Sequence, residues 1–206
     1  MIAVVDFGSG NTRSVLRALE AVGVEARLVA TPEGIGAAER IVLPGVGAAP
    51  WAVEALTARG LWEPVRRWGA EGRPLMGLCL GAQLLLEGSD EGDAPGLGLI
   101  RGRCRVFPTV GDGGPRQVPH IGWNEVRTPA GHFDAYFVHG YWLDADASAV
   151  AGWTEVDGFR FPSLLRAGSL TGTQFHPEKS GPTGRAILSA FAAGALDTRS
   201  TVAAWS

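Results

Sequence analysis

Several features that mark other classes of protein are scarce or missing in this chain of 206 residues. It contains two cysteines, Cys79 and Cys104, too few for the disulfide framework of a small secreted domain. Its apolar runs fall short of the roughly 20 residues that a membrane-spanning helix requires. The net charge of −3, without any basic run, argues against a nucleic-acid partner. Residues 1–6 are typical of a strand, not of a signal peptide. We therefore expect a cytoplasmic protein that contacts neither membrane nor nucleic acid.

Motifs for metal and nucleotide binding are also missing. Neither a CxxC nor an HxxxH pair occurs, which argues against a zinc site at the four histidines. The turn Gly8-Ser9-Gly10 follows a predicted strand, as a dinucleotide-binding loop does. However, Arg13 stands where that motif has its third glycine. The sequence therefore predicts no metal site and no dinucleotide site.

The N-terminal half has the pattern of an α/β fold. Short apolar segments predict buried strands, and apolar residues recur at helical spacing between them. A strand, a helix and a strand in this order favour parallel pairing with right-handed crossovers. The predicted strands of this half are residues 2–7, 24–30, 40–43 and 74–78.

The C-terminal half changes character from Leu97 onward. Short alternating segments predict mostly antiparallel strands, a Gly- and Pro-rich stretch at 109–116 predicts a hairpin loop, and a final helix is predicted at 184–196. We expect an α/β fold with a mostly parallel central sheet, flanking helices and an antiparallel β extension. Residues 1–196 are expected to form one domain, followed by a loose tail at 197–206.

The chain is organised around residues 77–83 (GLCLGAQ). They lie between a segment typical of a buried strand and a Leu- and Ala-rich segment typical of a helix. Cys79 therefore stands at a sharp strand-to-helix corner, between two glycines, Gly77 and Gly81, that permit a tight turn. A helix N-terminus beside the sulfur favours the thiolate. The pattern predicts that Cys79 is a nucleophile, whereas Cys104, inside an alternating strand, is predicted to be a packing residue.

A cysteine nucleophile needs a base, and His176 is the best placed of the four histidines. It follows the last predicted strand, so we expect it at the same edge of the sheet as Cys79. Glu178 comes two residues later and can bond the second imidazole nitrogen, as the acid of a triad does. These three residues are the predicted catalytic group.

Acyl transfer also needs N–H donors for the oxyanion that develops in the transition state. The amide of Leu80, directly after the nucleophile, is one candidate. The amide of Val46 or of Gly47, in the turn PGVG that follows the strand at 40–43, is the other.

Three motifs, GLCLGAQ at 77–83, PGVG at 44–47 and TQFHPEKS at 173–180, together resemble the class I (triad) glutamine amidotransferases. Within that family, three further segments are similar to the glutaminase subunit of imidazole glycerol phosphate synthase, an enzyme of histidine biosynthesis. These segments are VVDFGSGNTRSV at 4–15, VPHIGWNEV at 118–126 and FVHGYW at 137–142. The resemblance implies the flavodoxin-like fold of this family.

The resemblance also implies a reaction that needs no cofactor. Cys79 attacks the carboxamide of glutamine and forms a thioester, while His176 transfers protons and Glu178 orients it. Leu80 and Val46 supply the oxyanion amides, and the PGVG peptide is one that can be flipped until a partner binds. Contacts with glutamine are implied for Gly47, Gln83, His139, Gly140 and Tyr141. The family usually has Ser or Thr where this chain has Gly140, so no hydroxyl is available at that position.

The implied partner is a cyclase subunit of the (β/α)8 type. Ammonia released into water at neutral pH is protonated and loses its nucleophilicity, so it has to pass directly to a synthase. This chain lacks eight β-α units and cannot form such a barrel itself. The candidate interface residues are Asn11, Trp123, Asn124 and Lys179.

Other functions fit the same pattern. A glutaminase could serve a synthase that makes pyridoxal phosphate or anthranilate, although GWNEV at 122–126 argues against both. A γ-glutamyl hydrolase or cysteine peptidase could use the same scaffold and would act without a partner chain. A non-catalytic interaction module that retains the triad is the third alternative.

Overall fold

The computed structural model describes residues 1–195 of the chain. They form fourteen β strands, six α helices and three short 3₁₀ helices, at Glu91–Asp93, Ala147–Ala149 and Pro177–Lys179. The strands are β1 (Ile2–Val5), β2 (Ala26–Val29), β3 (Arg40–Leu43), β4 (Leu75–Leu78), β5 (Gly88–Ser89), β6 (Gly102–Val106), β7 (Val110–Gly111), β8 (Gly114–Pro115), β9 (His120–Thr128), β10 (Gly131–His139), β11 (Tyr141–Ala145), β12 (Val150–Val156), β13 (Phe159–Ala167) and β14 (Leu170–Thr173). The helices are α1 (Thr12–Glu20), α2 (Pro32–Gly36), α3 (Ala49–Ala58), α4 (Trp62–Ala70), α5 (Leu80–Leu84) and α6 (Gly181–Ala193). Leu196 and the tail predicted at 197–206 lie outside the described residues.

Nine strands form one sheet in the order β10-β9-β12-β13-β14-β4-β3-β1-β2. The strands from β14 to β2 pair in parallel, in the order 2-1-3-4-14 that is typical of flavodoxin-like sheets. The strands from β10 to β13, and β13 with β14, pair antiparallel and extend the same sheet. The predicted α/β fold with an antiparallel β extension is therefore confirmed.

Two apolar clusters cover the two faces of the parallel strands. Because side chains alternate along a strand, Ala3 and Val5 of β1 pack in the cluster that contains α3 and α4. Ile2 and Val4 pack in the other, which contains α1 and α6. Burial on both faces explains why β1, β3 and β4 are almost entirely apolar in sequence. None of the helices in the described part of the chain is long and apolar enough to cross a membrane.

The carboxyl ends of four parallel strands meet at one edge of the sheet. The segments that follow β1, β3, β4 and β14 are residues 6–11, 44–48, Cys79 and 174–178, in that order. All four predicted motif segments are therefore neighbours, as expected for ligand sites in open α/β sheets.

The chain leaves the large sheet at Gly140, between β10 and β11. The strand β11 belongs to a small sheet of order β11-β6-β5. The loop predicted at 109–116 is the hairpin of β7 and β8. The buried guanidinium of Arg116 holds it by donating to the carbonyl oxygens of Pro108, Val110 and Asp157.

Some element ends differ from the sequence prediction: the strand predicted at 24–30 is β2, Ala26–Val29, and the helix predicted at 184–196 is α6, Gly181–Ala193. The first helix ends at Glu20 because Gly23, with φ of 74°, closes the helix and Val24 N–H donates to the carbonyl of Leu19. The N-cap residue of this helix, Asn11, makes no side-chain cap hydrogen bond. The amide of Asn11 bonds Glu178 instead, and the hydroxyl of Thr12 donates to the carbonyl of Ser9.

Candidate active site

Cys79 occupies a strained corner between β4 and α5. Its φ of 50° and ψ of −107° place a non-glycine residue at positive φ, which costs about 1–3 kcal/mol. The turn is so tight that a Cβ on Gly77 would lie 2.5 Å from the Gly81 carbonyl oxygen, and one on Gly81 only 1.9 Å from that of Leu43. Both glycines are therefore required by close backbone approach, which supports the elbow predicted from the sequence.

The sulfur of Cys79 has two polar neighbours. Sγ lies 3.7 Å from the carbonyl oxygen of Val138 and 3.8 Å from Nε2 of Gln174. The side chain is 5% exposed, and its backbone N–H donates to the Thr173 carbonyl at 2.7 Å. The nucleophile predicted from the sequence is thus held between β10 and β14.

His176 and Glu178 form a buried pair at the end of β14. Nδ1 of His176 lies 2.8 Å from Oε1 of Glu178, and both side chains are fully buried. The amide of Asn11 donates to the same oxygen at 3.0 Å. The hydroxyl of Ser180 accepts from Tyr136 N–H and donates to the His176 carbonyl, which fixes this segment against β10. Two of the three predicted catalytic residues, His176 and Glu178, are therefore in direct contact, and Asn11 hydrogen-bonds the same carboxylate.

The neighbours of His176 change its affinity for protons. Burial alone lowers the pKa of the ring, but Cys79 and the Glu178 carboxylate outweigh that effect and raise it to about 10. Burial likewise tends to raise the pKa of Glu178, whereas hydrogen bonds from His176 and Asn11 bring it below its usual range. Among residues 1–195, no atom hydrogen-bonds Nε2 of His176. The group is thus a buried imidazolium–carboxylate pair beside a cysteine.

The backbone N–H groups of Val46 and Leu80, predicted to bind the oxyanion, both donate hydrogen bonds within the protein. The orientation of the Gly45–Val46 peptide explains both bonds. The N–H of Val46 donates to Oγ of Ser9 at 3.0 Å. The carbonyl of the same peptide, that of Gly45, accepts from Leu80 N–H at 3.4 Å. This peptide therefore turns its oxygen, not its N–H, toward Leu80. An oxyanion hole made of these two amides is not assembled in this geometry.

A cavity of about 550 Å³ opens at the nucleophile. Its walls include Cys79, both oxyanion candidates and all five predicted glutamine contacts, which are Gly47, Gln83, His139, Gly140 and Tyr141. Its volume is in the usual range for a small-molecule site. Within the described part of the chain, no three His, Cys, Asp or Glu side chains are grouped to hold a metal ion.

The buried histidines near the cavity are neutral. Nδ1 of His139 lies 2.7 Å from the Tyr141 carbonyl, and its Nε2 lies 2.9 Å from Nδ1 of His120. Burial lowers the pKa of His139 to about 3 and also lowers that of His120. A carbonyl oxygen cannot donate, so His139 carries its proton on Nδ1 and accepts from His120.

Three residues of the site were missed by sequence reasoning. Glu91 lies in the cavity wall, and its Oε2 accepts from the N–H of Ala49 at 2.7 Å. Ser9 holds Val46, and Gln174 reaches the sulfur. Gln174 stands within the TQFHPEKS motif, so its position beside His176 was a usable signal. Ser9 lies within the segment VVDFGSGNTRSV at 4–15, so it too was a usable signal, whereas Glu91 lies in no motif that the sequence analysis identified.

The predicted interface residues are not all on the surface. Trp123 is 59% exposed, and its neighbour on the same strand, Ile121, is 52% exposed. Lys179 lines the cavity and lies over the ring of Tyr136, at 5.7 Å from its centroid. Asn124 donates to the Glu155 carbonyl at an exposed position. Asn11 is only 4% exposed and faces Glu178, so its side chain offers little surface to a partner.

Comparisons with known proteins agree with this geometry. The model of the family described as "Glutamine amidotransferase class-I" matches residues 3–195. The chain is 44% identical over 200 residues to imidazole glycerol phosphate synthase subunit HisH of Streptococcus sanguinis, covering 93% of this chain and 95% of the relative. It is 42% identical over 210 residues to the HisH subunit of Symbiobacterium thermophilum, covering 97% of each.

Solved structures show the same fold. A crystal structure of a glutamine amidotransferase matches with a TM-score of 0.73 at 22% identity, over 93% of this chain and 98% of the other. The structure of PurLQS from Thermotoga maritima matches with a TM-score of 0.64 at 21% identity, over 90% of this chain and 88% of the other. The family match over residues 3–195 and relatives above 40% identity lead to one conclusion: the chain belongs to the class-I glutamine amidotransferase family.

Proposed function

We propose that this chain is the glutaminase subunit of imidazole glycerol phosphate synthase and that it works with a (β/α)8 cyclase subunit in the cytoplasm. The observation that carries the proposal is the buried His176–Glu178 pair beside Cys79, whose side chain lies in the wall of a cavity of about 550 Å³. The full-length similarity to HisH subunits supports the choice of synthase.

The first half of the reaction is the formation of a thioester. The Cys79 thiolate attacks the carboxamide carbon of glutamine, and the Sγ–C bond forms as the C–N bond breaks. The His176 imidazolium gives its Nε2 proton to the leaving nitrogen, which departs as ammonia. The Glu178 carboxylate is hydrogen-bonded to Nδ1 of His176. It therefore holds the ring with Nε2 on the side away from the carboxylate and stabilises the cationic form of the ring.

The second half is hydrolysis. The now neutral His176 takes a proton from water as the water attacks the thioester carbon. Glutamate is released, and the thiolate and imidazolium are restored, so the cycle balances. Glu91, in the cavity wall, is the carboxylate suited to the ammonium group of glutamine.

Gating by the partner is part of the proposal. The peptide between Gly45 and Val46 has to turn over before its N–H joins that of Leu80 at the oxyanion. The exposed Ile121 and Trp123 on β9, together with Lys179 at the cavity, make up the surface proposed for the cyclase. Docking there places the acceptor of ammonia at the mouth of the site and favours the turned peptide.

The test is a glutaminase assay of the full chain, alone and with the cyclase subunit and its nucleotide ligand. We expect very low activity for the isolated chain and a large increase in the complex. Cys79→Ala is expected to abolish turnover while the variant still folds and co-purifies with the cyclase. High activity of the isolated chain would refute gating, and turnover by Cys79→Ala would refute the nucleophile. Hydrolysis of folyl-polyglutamate or peptides without a partner would favour the hydrolase alternative.

A further inference from the structure

We propose that Gln174 is a catalytic residue, whose side-chain N–H donates to the sulfur of Cys79 and stabilises the thiolate. This inference rests on the proposed function for its place in the reaction. The contact itself is a feature of the fold: Nε2 of Gln174 lies 3.8 Å from Sγ, and the glutamine is fully buried.

The position of Gln174 follows from the pairing of β14 with β4. Thr173 is opposite Leu78 in this parallel pair, and the Cys79 N–H donates to the Thr173 carbonyl at 2.7 Å. The backbone of Gln174 is held from the other side, where its N–H donates to the Ser163 carbonyl. Gln174 and Cys79 are the residues that follow Thr173 and Leu78 on these two strands. The side chain of Gln174 therefore lies beside the nucleophile.

The orientation of the amide is determined by its partners. Nε2 of Gln83 lies 3.4 Å from the carbonyl oxygen of Tyr141, which can only accept, so the nitrogen of Gln83 must face it. The same nitrogen lies 3.4 Å from Oε1 of Gln174. The oxygen of Gln174 thus faces a donor, and its NH₂ group is left for the sulfur.

The Tyr141 carbonyl is itself fixed by the two neutral histidines. His120 donates to His139, and His139 donates to this carbonyl at 2.7 Å. A continuous buried series of hydrogen bonds therefore runs from the start of β9 to Sγ. In this series His120 and His139 are positioning residues, and Gln174 is the member that touches the reacting atom.

An N–H donor beside Sγ stabilises the sulfur at each step of the reaction in which the sulfur carries a negative charge. Before attack, it favours the thiolate over the thiol. In hydrolysis, it stabilises the thiolate as the thioester carbon–sulfur bond breaks. Hydrogen bonds to charged groups are worth more than neutral ones, so loss of the donor should slow steps that depend on the thiolate on the order of tenfold.

The experiment measures the rate of Cys79 alkylation by iodoacetamide against pH, in the full chain. Gln174→Glu keeps the shape and an acceptor for Gln83, and its ionised carboxylate replaces the N–H donor with a negative charge beside the sulfur. Gln174→Met removes both polar atoms at similar length. The matched control is Gln117→Met, because Gln117 is exposed. Circular dichroism and thermal unfolding establish that each variant folds.

We expect both Gln174 variants to lower the alkylation rate at pH 7 on the order of tenfold and to move the pH midpoint upward, with the rate recovering at high pH. In the cyclase complex, kcat for glutamine should fall by a similar factor and KM should change less than twofold. An unchanged pH profile in Gln174→Met, which has neither a donor nor a charge at this place, would overturn the proposal. So would a rate lowered equally at all pH values, which indicates a steric role. Alkylation needs no glutamine turnover, so inactivity of the wild-type complex would overturn the proposed function separately.

Discussion

The resting position of the Gly45–Val46 peptide depends on a single side chain, that of Ser9. Its Oγ accepts from the N–H of Val46 at 3.0 Å, and Ser9→Ala removes this acceptor without altering the cavity wall. The other bond of the peptide, from Leu80 N–H to the Gly45 carbonyl, is long at 3.4 Å and remains in the variant. Of the two positions of this peptide, the substitution therefore destabilises the one in which the oxyanion hole is not assembled.

One neutral hydrogen bond contributes about 0.5–1.5 kcal/mol, which corresponds to about a 2- to 12-fold change in the ratio of the two peptide positions. While the turned position is a minority, its population and the basal rate rise by the same factor. We therefore expect the isolated Ser9→Ala chain to hydrolyse glutamine about 2- to 12-fold faster than the wild type. The rate in the cyclase complex should stay unchanged. The ratio of the rate in the complex to the rate of the isolated chain should therefore fall by the same factor.

The assay is release of glutamate by the full chain, with and without the cyclase subunit. Ser148→Ala is the matched control, because it also removes a serine hydroxyl bond, to Asp146, at an exposed site away from the cavity. Ser9 Oγ also donates to Oδ1 of Asn11 at 3.1 Å. A basal rate that stays constant or falls would refute the reasoning. A fall in both states would show that the orientation of Asn11 matters more than the bond to Val46.

Two further predictions concern the triad and the elbow. Cys79 and Glu178 raise the pKa of His176 to about 10 against the lowering effect of burial. In Cys79→Ala only Glu178 remains to oppose the effect of burial, so the pKa of His176 should be lower than in the wild type. The pH titration of its ring nitrogens in ¹⁵N NMR spectra measures this change. An unchanged or higher pKa would show that Cys79 is not a cause of the shift. At Gly81 an added Cβ meets the Leu43 carbonyl oxygen at 1.9 Å, whereas at Gly36, at the end of α2, nothing lies within 4 Å. Gly81→Ala should therefore lower the free energy of unfolding, measured by urea titration, by about 1–3 kcal/mol or more. The control Gly36→Ala should not lower it. Equal losses of stability in the two variants would disprove the steric argument.

The parts of the site that the sequence predicted are those determined locally. The elbow at Cys79 depends on residues two positions away on each side, and the spacing of His176 and Glu178 is set by one intervening proline. Strand periodicity likewise predicted the parallel core, since buried strands must be apolar on both faces.

The parts that escaped prediction depend on contacts distant in sequence. Asn11 and Glu178 are 167 positions apart and meet only because β1 and β14 end at the same edge of the sheet. Ser9 and Val46 are 37 positions apart, and their bond requires the neighbouring strands β1 and β3. A local sequence pattern cannot predict which polar turn residues contact each other at the edge of the sheet, because these contacts depend on the order of the strands.

The turn after β1 has a consequence for the timing of the reaction. Ser9 restrains the peptide that would complete the oxyanion hole, and Asn11 supports the carboxylate of the triad. The two side chains are hydrogen-bonded to each other, because Ser9 Oγ donates to Oδ1 of Asn11 at 3.1 Å. A displacement of the turn at residues 6–11 would alter proton transfer and oxyanion stabilisation simultaneously. Under the proposed mechanism, such a joint change would limit the consumption of glutamine before an acceptor for ammonia is in place.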